Sequence, residues 1–278
     1  MRNCFRESKN LPFGGGRLLR LLPRGCTARC DRPIRDPVCG RAARTGRNRS
    51  GECAPERNGT ILRFRSGNPV PPHAVAVLAV PPGFNPQKNW PVLVCLSTSD
   101  FKRQNRDDLA DFYRQSAFAE GWVLIAGDGE QPAPRDTAGW RAGMTLAALD
   151  ALHRSFPGSR KWPVAVAGFS GGAKRAGTVA PLLAVAGLRI TGIFLSGGNE
   201  DRLSEGYRKF NPGPGFLSTP VFLSSGAQDN IATPQLHRGV KSSLERTGFS
   251  RVRLETFPQG HVVKRDHIRE ALRWFRQS

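Results

Sequence analysis

The sequence predicts an α/β protein built on a doubly wound, mostly parallel sheet, with no large lid over it. The main observation is an alternation, from about residue 60 onward, of short apolar runs with stretches that have helical apolar spacing. Several of the short runs are apolar throughout, as parallel strands covered on both faces are. In such a sheet ligands bind at the carboxyl ends of the strands, so the residues after each strand are the candidates for function.

The predicted elements follow one another in a regular order. Pro and Gly residues at 81–86 separate the second strand from the third, because proline fixes φ and glycine permits a positive φ. Leu146, Leu149 and Leu152 have the spacing of a buried helix face. The predicted strands cover residues 60–65, 74–80, 91–96, 122–126, 164–169, 190–195, 221–224 and 252–257. The predicted helices cover residues 107–119, 138–156, 173–186, 234–247 and 265–277.

The absence of a large lid is predicted from one connection. About two dozen residues, rich in glycine and proline, join the strand at 190–195 to the strand at 221–224. A segment of this length has no room for a lid domain. We therefore expect a fairly open site.

Residues 1–58 differ in composition from the rest of the chain. They are rich in arginine and proline, hold five of the six cysteines, and contain too few apolar residues to supply a packed core. We therefore predict a disordered basic leader over 1–58 and a folded domain over 59–278. The leader has no convincing signal peptide, because Arg20 interrupts its short apolar run. Localisation, cytoplasmic or secreted, and the presence of the leader in the mature protein both stay open.

Charge and cysteine spacing exclude several function classes. The formal net charge is +20, but the arginine cluster at 41–49 has no interleaved aromatic residues, so we expect no specific nucleic-acid partner. The leader cysteines lack paired C-x-x-C spacing, so we expect no metal, and nothing indicates a cofactor. No run approaches the ~20 apolar residues that cross a bilayer, so we expect no membrane span. The oligomeric state is open.

The most informative motif is Gly168-Phe-Ser-Gly-Gly172, which fits the pattern G-x-S-x-G. A β-branched run precedes it and a helix-compatible stretch follows, which is the setting of a sharp turn that lifts a serine hydroxyl clear of a parallel sheet. Any Cβ at Gly168 or Gly172 would crowd the strand and helix that meet there. Ser170 is therefore the candidate nucleophile.

An acid and a histidine follow Ser170 in the order that such a site requires. Asp229 comes just after the strand at 221–224, and His261 follows the last strand. In these roles His261 takes and returns the serine proton, while Asp229 orients His261. Asp229 as a turn former or helix cap is the alternative, and Asp128 is the second candidate acid, although it precedes the serine. The remaining histidines are expected to be solvated: His73, His153, His237 and His267.

The same mechanism needs two N–H donors aimed at the developing oxyanion. One is the amide of Gly171, directly after the candidate nucleophile. The second is expected from the loop after the strand at 91–96, at Thr98 or Ser99. Cys95 lies inside that strand and is interpreted as a small buried apolar residue.

Residues 70 to 276 resemble the α/β-hydrolase superfamily, in its esterase and polyhydroxybutyrate-depolymerase-like branch. The resemblance lies in residues 76–84 and 90–96, which resemble the entry strands of that branch, in 121–128, and in the turn at 168–172. It implies the α/β-hydrolase fold and hydrolysis of an ester through a serine acyl-enzyme. One position departs: the family has His-Gly where this chain has Ser97-Thr98, so the hydroxyls of this loop are further candidate oxyanion donors.

The sequence thus predicts a serine hydrolase of carboxylic esters that acts on a small-molecule or polymeric ester. The alternatives are a catalytically silent binding protein of the same fold, or a peptidase, thioesterase or acyltransferase with the same three residues. Arg103 and Arg106 are candidate ligands for an acidic substrate, with ordinary surface charge as the alternative. Four aromatic residues are candidates for the pocket wall: Trp140, Phe169, Phe210 and Phe216.

Overall fold

The fold is known from a computed structural model, which describes residues 5–7, 17–21, 74–98, 103–129 and 138–277. Within these residues, nine strands form one sheet in the order β1-β2-β3-β5-β4-β6-β7-β8-β9. The strands are β1 (Phe5–Glu7), β2 (Arg17–Leu21), β3 (Ala74–Val80), β4 (Val92–Leu96), β5 (Val123–Gly129), β6 (Val164–Phe169), β7 (Ile190–Ser196), β8 (Val221–Gly226) and β9 (Val252–Phe257).

The sheet has an antiparallel part and a parallel part. Strands β1, β2, β3 and β5 pair antiparallel, whereas β5, β4, β6, β7, β8 and β9 are parallel. From β4 the chain moves to β5 on one side, and from β6, on the other side of β4, it moves away to β7. The loops after β4 and β6 therefore separate at a topological switch point, where open α/β sheets bind their ligands. The predicted doubly wound, mostly parallel sheet is confirmed.

Helices cover both faces of this sheet. The first, α1, runs from Asn105–Asp108 through a π-helical turn at Leu109–Tyr113 to Arg114–Ala119. The others are α2 (Ala138–Ser155), α3 (Gly171–Val185), α4 (Arg202–Phe210), α5 (Pro234–Thr247) and α6 (Arg265–Phe275), with 3-10 turns at Pro157–Lys161 and Pro214–Ser218. Helices α1 and α6 pack in one core, and α2, α3, α4 and α5 pack in the other. None of the described helices is long and apolar enough to cross a membrane.

The continuous apolar strands follow from this double coverage. In β4, Val92, Val94 and Leu96 belong to one core, whereas Leu93 and Cys95 belong to the other. Cys95 is completely buried, and burial raises the pKa of its thiol well above the usual value, as expected of a packing residue.

The predictions for residues 1–65 are tested only in part, and the prediction for the end of β5 is wrong. Strands β1 and β2 fall within residues 1–58, and the rest of that segment and the strand predicted at 60–65 lie outside the described residues. The boundary at 58/59 therefore stays a prediction. Strand β5 continues through Gly127-Asp128-Gly129 instead of ending there, because β3 pairs with it as far as Gly129.

Helix α4 lies in the Gly- and Pro-rich connection between β7 and β8, to which the sequence analysis assigns no helix. It packs so closely on α3 that neither helix has room for a side chain at the crossing. A Cβ on Gly177 of α3 would lie 2.8 Å from the Leu203 nitrogen, and a Cβ on Gly206 of α4 would lie 3.0 Å from the Gly177 oxygen. The glycines thus mark a helix crossing. This crossing places α4 beside the first turns of α3.

The crossing gives a stability test with two helical glycines. We expect Gly177→Ala to lower the free energy of unfolding by about 1–3 kcal/mol, because the new methyl group meets the α4 backbone. Gly239 of α5 is exposed with nothing within 4 Å of an added Cβ, so Gly239→Ala should raise stability by about 0.5–1 kcal/mol through helix propensity. Urea unfolding measures both. A stability gain for Gly177→Ala would contradict the close crossing.

Candidate active site

Ser170 stands between the end of β6 and the start of α3 in an unusual backbone conformation. Its φ is 55° and its ψ is −120°. Among the described residues other than glycine, only Ser170 and Asn211 have a positive φ. The Ser170 N–H donates to the backbone oxygen of Ser196 at the end of β7, and the nitrogen and oxygen are 2.8 Å apart. A serine held in this region costs about 1–3 kcal/mol and is typical of a functional turn.

The glycines around Ser170 have the steric role that the sequence predicts. A Cβ on Gly168 would lie 2.0 Å from the Gly172 oxygen, and a Cβ on Gly172 would lie 2.3 Å from the Leu96 oxygen at the end of β4. Both contacts are with backbone, which has no room to move aside. The predicted crowding is thus confirmed. It brings the start of α3 directly against the end of β4.

The structure brings Ser170, His261 and Asp229 into one hydrogen-bonded row. His261 Nε2 lies 2.9 Å from Ser170 Oγ, and His261 Nδ1 lies 2.7 Å from Asp229 Oδ2. The other carboxylate oxygen, Asp229 Oδ1, accepts the N–H groups of Ile231 and Ala232, each at 2.8 Å. Burial raises the pKa of Asp229, but the hydrogen bonds from His261 and the two amides outweigh it, so the net pKa is lowered.

The loops after β8 and β9 hold this acid and histidine together. The Ala227 N–H donates to Phe257 O at 2.7 Å, and the Gln228 N–H donates to Gln259 O at 3.0 Å. A Cβ on Gly226 would lie 2.2 Å from the Gly260 oxygen, so only glycine allows the two loops to come so close. The backbone pairing of β8 and β9 therefore continues past the sheet as far as the functional side chains.

The His261 ring rests on Phe169 and beside Gly197. The two ring centroids are 4.8 Å apart. Gly197 has a φ of 60°, and a Cβ there would lie 3.0 Å from His261 Cε1 and 2.8 Å from Phe169 Cε2. The sequence analysis did not single out Gly197. The one sequence feature that indicates a role for Gly197 at the site is its place directly after β7.

The loop after β4 is held from behind by a buried polar network. The Ser97 N–H donates to Asn105 Oδ1 at 2.8 Å, and the same oxygen accepts from Arg141 Nη1 at 2.6 Å. Arg141 Nη2 also lies 3.5 Å from Thr98 O. Asn105 and Arg141 are completely buried. The sequence analysis missed both, although an arginine inside the apolar α2 run is itself an indication of a buried partner.

Asp128 belongs to this network and not to the row at Ser170. Its carboxylate accepts the N–H groups of Asn105 and Arg106, at 2.8 and 3.0 Å, at the start of α1. Burial raises its pKa, although the amides and the nearby arginines act in the opposite direction. Asp128 therefore positions α1 and the loop after β4. This agrees with the order of residues along the chain, which made Asp128 only the second candidate acid after Asp229.

Of the candidate oxyanion donors, Gly171 and Thr98 lie beside Ser170 on one cavity wall. Gly171 is the first residue of α3, so its N–H has no intrahelical acceptor. Ser97 is excluded, because its N–H is bound to Asn105 and its buried Oγ lies 3.3 Å from Arg103 O. Ser99 lies outside the described residues, so its part stays a prediction.

The prediction that the other histidines are solvated is wrong for His237, whereas His153 and His267 are half-buried and hydrogen-bonded. His237 is buried, with Nδ1 at 3.1 Å from Ala232 O, behind the Asp229 loop. His153 pairs with Ser159 Oγ at 2.8 Å, and burial lowers its pKa to about 4. His267 pairs with Ser224 Oγ at 3.0 Å. These rings act as packed hydrogen-bonding groups; His73 lies outside the described residues.

A cavity of about 510 Å³ opens beside Ser170. Helix α3, helix α4 and the loop after Asp229 form much of its wall. The lining residues are Thr98, Ser170, Gly171, Lys174, Arg175, Thr178, Gly197, Asn199, Arg202, Glu205, Lys209 and Ile231. Most of these residues have polar or charged side chains, and four of them are cationic.

None of the four aromatic residues proposed for the wall is among the residues that line this cavity. Phe210 and Phe216 lie in the main core, Trp140 packs with Met144 and Ala147, and Phe169 carries the His261 ring. Trp140, Phe210 and Phe216 are buried, and Phe169 is half-buried.

The arginines proposed for an acidic substrate are also placed elsewhere. Arg103 donates to Asp108 at 2.6 Å and to Asp111 at 2.8 Å, and Arg106 lies 4.0 Å from Asp107. Neither is among the residues that line the cavity. In the described part of the chain no three His, Cys, Asp or Glu side chains group as metal ligands do.

Solved structures share this fold at low sequence identity. The Bacterial Heroin Esterase matches with a TM-score of 0.54 and 18% identity, over 77% of this chain and 81% of its own. Est1E from Butyrivibrio proteoclasticus matches with a TM-score of 0.53 and 13% identity, over 74% and 95%. TT1662 from Thermus thermophilus matches with a TM-score of 0.52 and 18% identity, over 73% and 92%. No protein-family model and no curated protein matches the sequence.

These likenesses confirm the α/β-hydrolase fold that the sequence predicts. At such low identity they show the fold alone, so the roles of the site residues depend on the geometry.

The buried network is open to a direct stability test. We expect Arg141→Met to lower the free energy of unfolding by about 3 kcal/mol or more, because it removes the charged donor to buried Asn105. Arg154 on the same helix pairs with Asp150 at the surface, so Arg154→Met should change stability by only about 0.5 kcal/mol. Denaturant unfolding compares the two. Equal small effects would show that the network does not hold the loop.

Proposed function

We propose that this α/β-hydrolase-fold protein is a serine hydrolase of carboxylic esters, with Ser170 as nucleophile, His261 as general base and acid, and Asp229 as the orienting acid. The observation that carries the proposal is the pair of hydrogen bonds, 2.9 and 2.7 Å long, that joins the three side chains in one row. Nucleophile, base and orienting group then stand in the order that covalent acyl transfer requires.

The reaction begins with attack of Ser170 Oγ on the ester carbonyl carbon, while His261 Nε2 takes the hydroxyl proton. The carbonyl π electrons move to the oxygen and form an oxyanion. When the tetrahedral intermediate collapses, the carbon–oxygen bond to the alcohol breaks and His261 gives its proton to the leaving oxygen. Water then attacks the acyl-serine with the same base, which releases the acid and restores Ser170.

Asp229 fixes the tautomer of His261. Its Oδ2 accepts the Nδ1 proton, which leaves Nε2 as the acceptor for the serine proton. The amides on Oδ1 help to lower the pKa of Asp229, so the carboxylate is ionised at neutral pH and stabilises the imidazolium that forms.

The oxyanion is assigned to the amide of Gly171 together with a donor at Thr98 or Ser99. Support comes from the position of Thr98 beside Ser170 and from the use of the Ser97 amide by Asn105, which leaves the following residues for the oxyanion. The buried Asn105 and Arg141 hold this loop where the resembling family relies on His-Gly. One of the structural neighbours named above, the Bacterial Heroin Esterase, is an esterase by name, which favours an ester over a peptide or thioester.

The rival hypothesis, a catalytically silent binding protein, rests on the Ser97-Thr98 departure together with the basic leader predicted over 1–58. The positive φ of Ser170 argues against it, because a binding protein gains nothing from a strained serine that points at a histidine. The buried network also gives the departing loop a rigid support of its own.

The test is hydrolysis of p-nitrophenyl valerate. We expect Ser170→Ala to lower kcat by about 10⁴-fold or more, and Asp229→Asn by about 10³–10⁴-fold, because Asn stabilises the wrong His261 tautomer. Ser159→Ala removes the hydroxyl of another Ser–His pair, away from the cavity, and should leave kcat unchanged. Turnover by Ser170→Ala that equals the wild-type rate would refute the proposal.

A further inference from the structure

We propose that His237 is a positioning residue of the Ser170 site, and that it holds in place the turn from which Asp229 reaches His261. This inference rests on the proposed ester hydrolysis and adds a residue outside the row of three side chains. His237 is not among the described residues that line the cavity. The basis is a hydrogen bond from its buried ring to the backbone of the Asp229 turn.

Ala232 is held in this turn by both of its backbone polar groups. Its N–H donates to Asp229 Oδ1 at 2.8 Å, and its carbonyl oxygen lies 3.1 Å from His237 Nδ1. The ring reaches this oxygen from the first turn of α5, which begins two residues after Ala232. Because both contacts are on one residue, a shift of the Ala232 carbonyl also moves the amide that binds the acid.

The hydrogen bond fixes the tautomer of His237. A carbonyl oxygen only accepts, so Nδ1 carries the proton that it donates to Ala232 O, and Thr233 O lies 3.4 Å from the same nitrogen. Burial lowers the pKa of His237, and nearby His261 acts in the same direction. The hydrogen bonds to Thr233 O and Ala232 O and the charge of Asp229 oppose that lowering of the pKa. The ring is therefore neutral at neutral pH.

The other ring nitrogen has no part in the contact. His237 Nε2 is buried and has no hydrogen-bond partner among the described residues. The ring therefore contributes its packing and a single N–H at the Nδ1 position. These two contributions are separable, because the amide nitrogen of asparagine is two bonds from Cβ, as Nδ1 of histidine is. Leucine keeps most of the packing and has no donor.

The place of this turn decides how Asp229 binds His261. Asp229 Oδ1 is held by the amides of Ile231 and Ala232, and Asp229 Oδ2 accepts from His261 Nδ1. The two oxygens belong to one rigid carboxylate, so a shift of the amides on Oδ1 moves Oδ2 relative to the His261 ring. A displacement of about 1 Å at a catalytic group lowers the rate by up to about a hundredfold.

The first test is hydrolysis of p-nitrophenyl valerate by two variants of His237. We expect His237→Leu to lower kcat about tenfold, and His237→Asn, which keeps the donor, to lower it by less than about threefold. KM should change little, because the cavity wall is untouched. His153→Leu removes the ring that pairs with Ser159 and is the matched control, with both constants unchanged. A kcat of His237→Leu equal to that of the wild type, or equal losses in the two variants, overturns the inference.

Urea unfolding of the same variants separates positioning from packing. His237→Asn leaves a space where the ring was and buries an amide oxygen, so its urea midpoint should lie below that of His237→Leu. The expected order of kcat is the reverse of this order of stability. If His237→Asn is the slower of the two variants, the ring acts through packing alone and the inference is wrong.

A double-mutant cycle tests whether His237 acts through the acid. In Asp229→Asn protein, the further change His237→Leu should lower the residual kcat by less than about twofold, because the carboxylate that His237 positions is already absent. A full tenfold loss in this background would place the effect elsewhere and overturn the inference.

Proton NMR keeps the test separate from the proposed chemistry. The His261 Nδ1 proton is shared with the Asp229 carboxylate and gives a low-field signal, which His261→Ala identifies by removing it. We expect His237→Leu to move this signal upfield or to broaden it, while His237→Asn and His153→Leu leave it in place. An unchanged signal in His237→Leu overturns the positioning role. Equal ester turnover by wild type and Ser170→Ala overturns the proposed function instead.

Discussion

The close approach of α3 to the end of β4 is the constraint on which the rest of the site depends. Gly172 touches the Leu96 carbonyl so closely that no Cβ fits between them, and Gly168 meets the Gly172 backbone in the same way. The chain can pass from β6 to α3 in this space only through a sharp turn, and Ser170 at its apex takes a positive φ. The turn thus fixes the serine hydroxyl, the first amide of α3 and the loop after β4 relative to one another.

Two further supports bring the partners of Ser170 to this turn. The paired loops beyond β8 and β9 place Asp229 and His261 as an extension of the sheet, with Gly226 allowing their contact. The buried group of Asn105, Asp128 and Arg141 fixes the loop after β4. A buried polar network is costly unless its members are paired, but when paired it holds a single arrangement. This network gives the loop the definition that a short glycine turn gives in the resembling family.

Features of the fold and the site that depend on the spacing of neighbouring residues along the chain could be predicted from the sequence. The parallel strands and five of the helices follow from apolar spacing, and Ser170, Asp229 and His261 follow from their places after strands. Longer-range features could not be predicted. Helix α4 has a local signal, because Leu203, Tyr207 and Phe210 have the i, i+4 and i+7 spacing of a buried helix face; its close contact with α3 at Gly177 and Gly206 is what the sequence does not show. The buried pair of Arg141 and Asn105 joins residues 36 positions apart, and the residues that line the cavity likewise come from separate elements.

The central claim is that Ser170 is an activated nucleophile. Treatment of the folded protein with a fluorophosphonate probe, followed by peptide mapping in the mass spectrometer, measures this directly. The account predicts one adduct for each chain, on Ser170, and its loss in a folded His261→Ala variant, because the serine then lacks its base. A folded wild-type protein that stays unlabelled, or that carries the adduct on another serine, would contradict it.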